Sequence, residues 1–304
     1  MEFKHKSVLF DEAIAALELN ESKIIADGTA GGGGHSREIA KTAKRLIAID
    51  QDPDAIHVLN ERLGDMPNVS IVQSNFSNIK NIISDLNISK IDGMLLDLGV
   101  SSFQLDNGSR GFSFHQDAPL DMRMSKAGLS AYDVVNTYDE KSLADMIWKY
   151  GEEKFSRSIA RNIVKAREEK PIQTTFELVE IIKASMPAKE LKKGHPARKT
   201  FQAIRIEVNG ELDRLKEALG NAFECLNKGG IIAVITFHSL EDRIVKETFA
   251  QWTRGCTCPK EFPICVCGNK PKGELLFKSK SPSESELEDN PRARSSRLRA
   301  FKKY

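Results

Sequence analysis

Residues 23–36 read K-I-I-A-D-G-T-A-G-G-G-G-H-S: a short apolar run closed by an acid, a loop of glycines, then the opening of a helix. A strand that runs through a glycine-rich turn into a helix N-terminus is the entry to a parallel α/β sheet. The pattern repeats downstream. Residues 45–50 (R-L-I-A-I-D), 69–73 (V-S-I-V-Q) and 91–98 (I-D-G-M-L-L-D-L) are similar runs, nearly continuous in apolar residues, as strands covered on both faces require. Segments 35–44 and 53–63 between them fit crossover helices. Beyond Phe103 the strand signal stops for about a hundred residues. Leu143, Met146, Ile147 and Tyr150 recur at helical spacing, Ile159, Ile163 and Val164 repeat it, and Thr174 with Glu177 forms a capping box. After Asn209 the α/β pattern resumes with a helix over 211–226 and a strand over 231–237. The expected organisation is therefore a core over 1–103, an inserted all-helical domain over 104–208, and a second part of the core over 209–304. Segments 275–280 and 295–303 read as edge strands, the latter basic (S-S-R-L-R-A-F-K-K), and the acidic stretch 281–291 between them as a mobile loop.

Composition narrows the class. The 304 residues exceed the usual single-core size, and 40% hydrophobic residues with 20 Gly exclude disordered and fibrous chains. The longest apolar run, 231–237, is far short of a membrane span, and residues 1–6 lack the apolar core of a signal peptide. A cytoplasmic chain with no membrane partner is expected. Its five cysteines are then reduced thiols. With 45 Lys+Arg against 43 Asp+Glu, net charge +2, any case for nucleic-acid binding must be local.

Glycines between a strand and a helix let a ligand meet backbone amides and the helix dipole; the plain alternative is a flexible turn. The ligand class follows from what is missing. No register of residues 28–36 gives G-x-G-x-x-G, and Gly34 and His35 stand where a phosphate-binding loop needs Lys and Ser/Thr. Dinucleotide and nucleoside-triphosphate readings weaken, which leaves S-adenosylmethionine as the common user of this topology. Asp50, ending the second strand, is placed to accept ribose hydroxyls. Asp52, followed by Pro53, reads instead as a helix N-cap. Asn75, Phe76 and Asp97 follow or end the next two strands; Phe76 can flank an adenine or simply join the core, and Asp97 can lie near a reacting methyl.

These residues carry a resemblance. D-G-T-A-G-G-G-G-H-S (27–36), A-I-D-Q-D-P (48–53), L-L-D-L-G-V-S-S (95–102), R-G-F-S-F (110–114), P-L-D-M-R-M (119–124), H-P-A-R-K-T-F-Q-A-I-R-I-E-V-N (195–209), F-H-S-L-E-D-R-I-V-K (237–246) and N-P-R-A-R-S-S-R-L-R (290–299) occur in order along nearly the whole chain. Together they resemble the bacterial small-subunit ribosomal RNA cytosine-N4 methyltransferases. The resemblance implies a Rossmann-like class I S-adenosylmethionine methyltransferase sheet with an inserted helical domain. It implies methylation of a cytidine in the decoding region of 16S rRNA, with the small ribosomal subunit as partner. It also implies that Gly33, Gly34, His35, Asp50, Phe76, Asp97 and Gln104 contact the cofactor; Gln104 rests on the family alone.

Cytosine N4 is a poor nucleophile, so its attack needs hydrogen-bond acceptors that orient the amine and take up developing charge. Many amino-methyltransferases supply them from an Asp/Asn-Pro-Pro-aromatic turn, whereas residues 97–100 here read D-L-G-V. Asp97 is the best-placed carboxylate, and Ser101, Ser102 and His238 are secondary candidates, His238 equally a structural histidine. Arg157, Arg161 and Lys165 share a helix face in the insertion, Arg198 and Lys199 follow, and Arg292, Arg294, Arg297 and Arg299 end the chain. Such clusters neutralise phosphates, or are solvated faces. Cys256, Cys258, Cys265 and Cys267 form two C-x-C pairs, compatible with tetrahedral zinc, with reduced thiols or with a redox-labile pair. The rival functions are a non-catalytic ribosome-assembly factor on a methyltransferase fold and a methyltransferase for a non-RNA amine.

Overall fold

The computed structural model describes residues 7–259, 262–264 and 266–304. These fall into two compact units, 1–99 with 212–304, and 100–211. The breaks expected from sequence stand after residues 103 and 208.

The first unit opens with α1 (Phe10–Ala16), β1 (Ile24–Asp27), α2 (Gly34–Thr42), β2 (Arg45–Asp50), α3 (Pro53–Leu63), β3 (Val69–Gln73), α4 (Ile79–Asp85) and β4 (Ile91–Asp97). Strand periodicity explains why these runs are apolar throughout. Along β2, Leu46 and Ala48 enter one core cluster and Ile47 and Ile49 the other; in β4, Leu95 faces the first and Met94 and Leu96 the second. Each buried Leu or Ile contributes about 1.5–3 kcal/mol relative to exposure. The start of α3 follows its sequence signal: Asp52 Oδ1 accepts from Asp54 N–H at 3.0 Å, with Pro53 at the first helical position.

The second unit is helical: α5 (Ser102–Asp106), α6 (Ala131–Thr137), α7 (Glu140–Gly151), α8 (Ser156–Glu169), α9 (Thr175–Ala184), α10 (Ala188–Leu191) and α11 (Arg198–Asn209). Its own core takes Leu143, Met146 and Ile147 from α7, Ile159 and Ile163 from α8, and Phe201 and Ile204 from α11. The Thr174/Glu177 capping box starts α9.

The chain then returns through α12 (Glu211–Cys225), β5 (Leu226–Thr236), α13 (Ser239–Thr253), β6 (Gly273–Lys280), α14 (Glu284–Asp289) and β7 (Arg297–Lys303). The seven-stranded sheet has the order β3-β2-β1-β4-β5-β7-β6. The pairs from β3 to β5 are parallel, and β7 runs antiparallel to both neighbours. This is a Rossmann-like class I methyltransferase sheet.

Two expectations at the end of the chain are corrected. β7 is an interior strand: Leu298, Ala300 and Phe301 are fully buried, and only β6 of this pair lies on an edge. The alternating charges that suggest an edge are absorbed locally. Arg299, expected at an RNA surface, is buried and donates to both oxygens of Asp242 (2.7 and 3.0 Å) and to the Lys278 carbonyl (2.7 Å). The stretch 281–291, expected as a mobile loop, contains α14; Ser283 caps it, and buried Glu286 accepts from Leu9 N–H at 2.7 Å.

Removing one member of a buried, bidentate pair strands the other. Arg299→Ala is expected to lower unfolding free energy by about 3 kcal/mol, and the paired change Arg299→Met with Asp242→Leu to recover most of it. Arg297→Ala, on an exposed side chain, should stay within about 0.5 kcal/mol. Urea unfolding of the three variants checks this; equal losses for Arg299→Ala and Arg297→Ala would refute the assignment.

Candidate active site

β1 lies between β2 and β4, so the strand order reverses there, and in open α/β sheets ligands bind beyond the carboxyl ends of the strands at such a switch point. Asp27, Asp50 and Asp97 are the last residues of β1, β2 and β4. The glycine loop is pinned across all three. Gly28 N–H donates to the Leu95 carbonyl (2.9 Å), Ala30 N–H to the Ile49 carbonyl (2.9 Å), Gly31 N–H to Asp50 Oδ2 (2.8 Å), and Asp97 N–H to Thr29 Oγ1 (2.6 Å). A Cβ on Gly28 would fall 2.6 Å from Leu96 Cδ2 and 2.9 Å from the Phe76 Cβ, so no larger residue fits there. Gly33 takes φ +84° as the N-cap of α2, a left-handed conformation that leaves the first amides of that helix facing the loop.

The acids differ in how their burial is offset. Asp27 accepts from Ser36 Oγ (2.6 Å) and Thr29 N–H (3.3 Å), yet desolvation pushes its carboxyl up to about 6. Asp50 accepts from Asp52 N–H (2.8 Å) and Gly31 N–H, and burial likewise raises it to about 6 against those bonds. Asp97 is held well above the ordinary carboxylate range by burial first, then by the charges of Asp27 and Glu241. Its Oδ1 is buried without a hydrogen-bond partner among the described residues. His35, buried and stacked on Phe10 (centroids 5.5 Å apart, planes at 21°), brings Nδ1 to 3.8 Å from Asp97 Oδ2.

The expected residues thus divide. Gly33, Gly34, His35, Asp50 and Asp97 come together with the loop. Phe76 is partly buried, packed on the core and against Gly28. Asn75 holds this segment in place, accepting from Ser77 N–H and donating to Gln51 Oε1, both at 3.0 Å. Ser101 and Gln104 belong to the second unit, where they satisfy each other in the capping box of α5. His238 caps α13; its Nδ1 accepts from Glu241 N–H (3.4 Å) and its Nε2 lies 3.1 Å from Glu241 Oε1.

Arg157, Arg161 and Lys165 are exposed on α8, with Arg161 Nε 3.8 Å from Glu140, and Arg198 and Lys199 are exposed on the first turn of α11. Arg292, Arg294 and Arg297 are exposed, in contrast to Arg299. Cys256, Cys258 and Cys267 cluster; Cys265 lies outside the described residues. Sequence reasoning missed Thr29, Asp27 and Glu241. Ser36 stands nine residues after Asp27, in the first turn of α2, and that spacing was a usable signal for a buried acid that ties the helix to the strand.

The description "MraW methylase family" fits a family model matched over residues 2–304. The chain belongs to that family. It is 54% identical over 308 residues to the ribosomal RNA small subunit methyltransferase H of Clostridium botulinum (strain Kyoto / Type A2), covering 100% of both chains. The protein of that name from Brevibacillus brevis is 54% identical over 310 residues, with 100% of this chain and 99% of the other covered. Agathobacter rectalis has a ribosomal RNA small subunit methyltransferase H 2 at 54% over 311 residues, 100% and 99% covered. The family and the sheet together make the chain a methyltransferase, with S-adenosylmethionine as its cofactor.

The raised carboxyl of Asp27 fixes a pH dependence. Its folded value, about 6 against 3.8, favours the protonated form, so its contribution to stability is full below about pH 4 and is lost as pH rises through about 6. The gap corresponds to about 3 kcal/mol. Relative to Asp27→Asn, which cannot titrate, the native chain should lose stability by that order between about pH 4 and 7. Denaturant unfolding across the range tests it; a constant difference would rule it out.

Proposed function

We propose that this enzyme methylates the exocyclic N4 of a cytidine in the decoding region of 16S rRNA, within the small ribosomal subunit in the cytoplasm. The observation that carries this is end-to-end identity of 54% to proteins named ribosomal RNA small subunit methyltransferase H. The order of the motifs in the chain supports the finer assignment to cytosine N4.

The residues present suit the cofactor. Asp97 Oδ1 is a buried acceptor with no hydrogen-bond partner among the described residues, at the end of the strand beside the glycine loop. Gly33, Gly34, His35, Asp50, Phe76 and Asp97 would hold it. When bound, it supplies an electrophilic methyl on a positively charged sulfur. A cation among raised carboxylates favours their ionised forms, so Asp50 becomes a full acceptor for two hydroxyls and Asp97 an acceptor for an amine proton. Asp97 is then the group that orients the N4 amine and takes up its developing charge. His238 and Ser101, committed to helix caps, act on the framework and not on the amine. Incubation with labelled S-adenosylmethionine and either unmethylated small subunits or naked 16S rRNA should place label on one cytosine amine. Label on another base atom would overturn the assignment.

RNA is held in this reading by Arg157, Arg161 and Lys165 of α8, by Arg198 and Lys199, and by Arg292, Arg294 and Arg297. Replacing the three α8 residues with Ala should weaken subunit binding and reduce its log-log salt slope by roughly 0.7–0.9 for each phosphate no longer neutralised. Cofactor affinity should hold. Binding measured over a salt series decides; an unchanged slope would make α8 a solvated face.

A further inference from the structure

The segment joining α13 to β6 takes no part in the site described above, yet four of the chain's five cysteines stand in it. Among its described residues from Thr253 to Lys272 none is buried. Phe262, Ile264 and Val266 are 51%, 74% and 72% exposed, so apolar burial does not hold this stretch. Ordering a backbone residue costs about 1–2 kcal/mol, and long connections without secondary structure are uncommon in compact folds. Something other than a core must organise it.

The sulfurs do. Sγ atoms of Cys256, Cys258 and Cys267 all lie within 4.8 Å of one another, and those of Cys256 and Cys267 are 3.8 Å apart. Backbone amides converge on them: Thr257 and Asn269 N–H on Cys267 (3.3 and 3.4 Å), Cys258 N–H on Cys256 (3.4 Å), and Val266 N–H on Cys258 (3.3 Å). Amides directed at sulfur favour the thiolate, the form that binds metal. Asn269 Nδ2 closes the neck of the loop by donating to the carbonyls of Arg254 (3.1 Å) and Gly255 (2.6 Å). A tetrahedral ion with Zn–S bonds of about 2.3 Å sets its sulfurs about 3.8 Å apart. The Cys256–Cys267 pair has that separation and Cys258 Sγ lies within 4.8 Å of both, close enough for all three to reach one ion; soft thiolates select zinc over the hard divalent cations.

We propose that Cys256, Cys258 and Cys267 bind a zinc ion that folds the α13–β6 connection and takes no part in methyl transfer. Cys265, the remaining cysteine of the segment by sequence, lies outside the described residues. Zinc displaces the thiol protons, and no oxidation is involved.

The full chain, purified with a reductant and without chelator, should contain about one zinc per chain by elemental analysis. Replacement by cobalt(II) should give the intense sulfur-to-metal charge-transfer absorption and visible bands of a tetrahedral thiolate site. Cys256→Ser with Cys267→Ser should lose the metal while keeping the core's unfolding transition. Should that variant not fold, the native chain still answers. Stripping its zinc with a chelator should speed tryptic cleavage at Arg254 or Lys272 about tenfold or more, and added ZnCl2 should restore protection. A folded, reduced chain that takes up no zinc from stoichiometric ZnCl2, zinc content unchanged in the double variant, or a disulfide within the segment under reductant would each overturn the proposal.

Discussion

Three carboxylates end three adjacent strands of the sheet, and taking them out of water is the constraint around which the first unit is arranged. Asp27 is stabilised by a hydroxyl from α2, Asp50 by two loop amides, and Asp97 donates its own N–H to Thr29 while its Oδ1 stays unmatched among the described residues. The same bonds that offset desolvation also fix the glycine loop, because Gly31 and Thr29 belong to it. Loop geometry and acid burial are thus one problem solved once. The residual imbalance, carboxyls raised by burial and by one another, is an environment in which a positively charged ligand is favoured over water.

What the sequence made legible was whatever rests on neighbours in the chain. The apolar runs of β1 to β4, the Asp52-Pro53 start of α3 and the Thr174/Glu177 box of α9 each depend on residues a few positions apart. The misread parts depend on distant partners. Arg299 in R-L-R-A-F-K-K has the look of a solvated strand because its partner, Asp242, is 57 residues away in sequence. The helix at 284–289 was hidden for a related reason. Its Ser283 cap was readable, but its acidic composition pointed to solvent until Glu286 met the backbone of Leu9, 277 positions earlier.

The site divided along the same line. Asp50 and Asp97 follow from strand ends, which sequence locates well. Ser101 and His238 are hydroxyl and imidazole groups four and two residues past the ends of β4 and β5, and chemistry alone makes them look reactive. Local geometry gives both another task, since the first residue before a helix is where such side chains satisfy unpaired amides. A polar residue at the junction of strand and helix therefore carries two competing claims, and only the hydrogen-bond partners separate them.

The pairing of β4 with β5 sets Asp97 opposite Ile235, with the whole helical unit threaded between them. Contacts so far apart in sequence are slow to form, because the chain must close a long loop before any pairing energy is returned. Each halving of the effective loop lowers that entropic cost by about 0.6 kcal/mol. The second unit has its own apolar core, so its collapse before the sheet closes would shorten the intervening chain. The insertion would then act as a folding splint: the half-sheet carrying the glycine loop waits for the helices to draw in the strand that completes it.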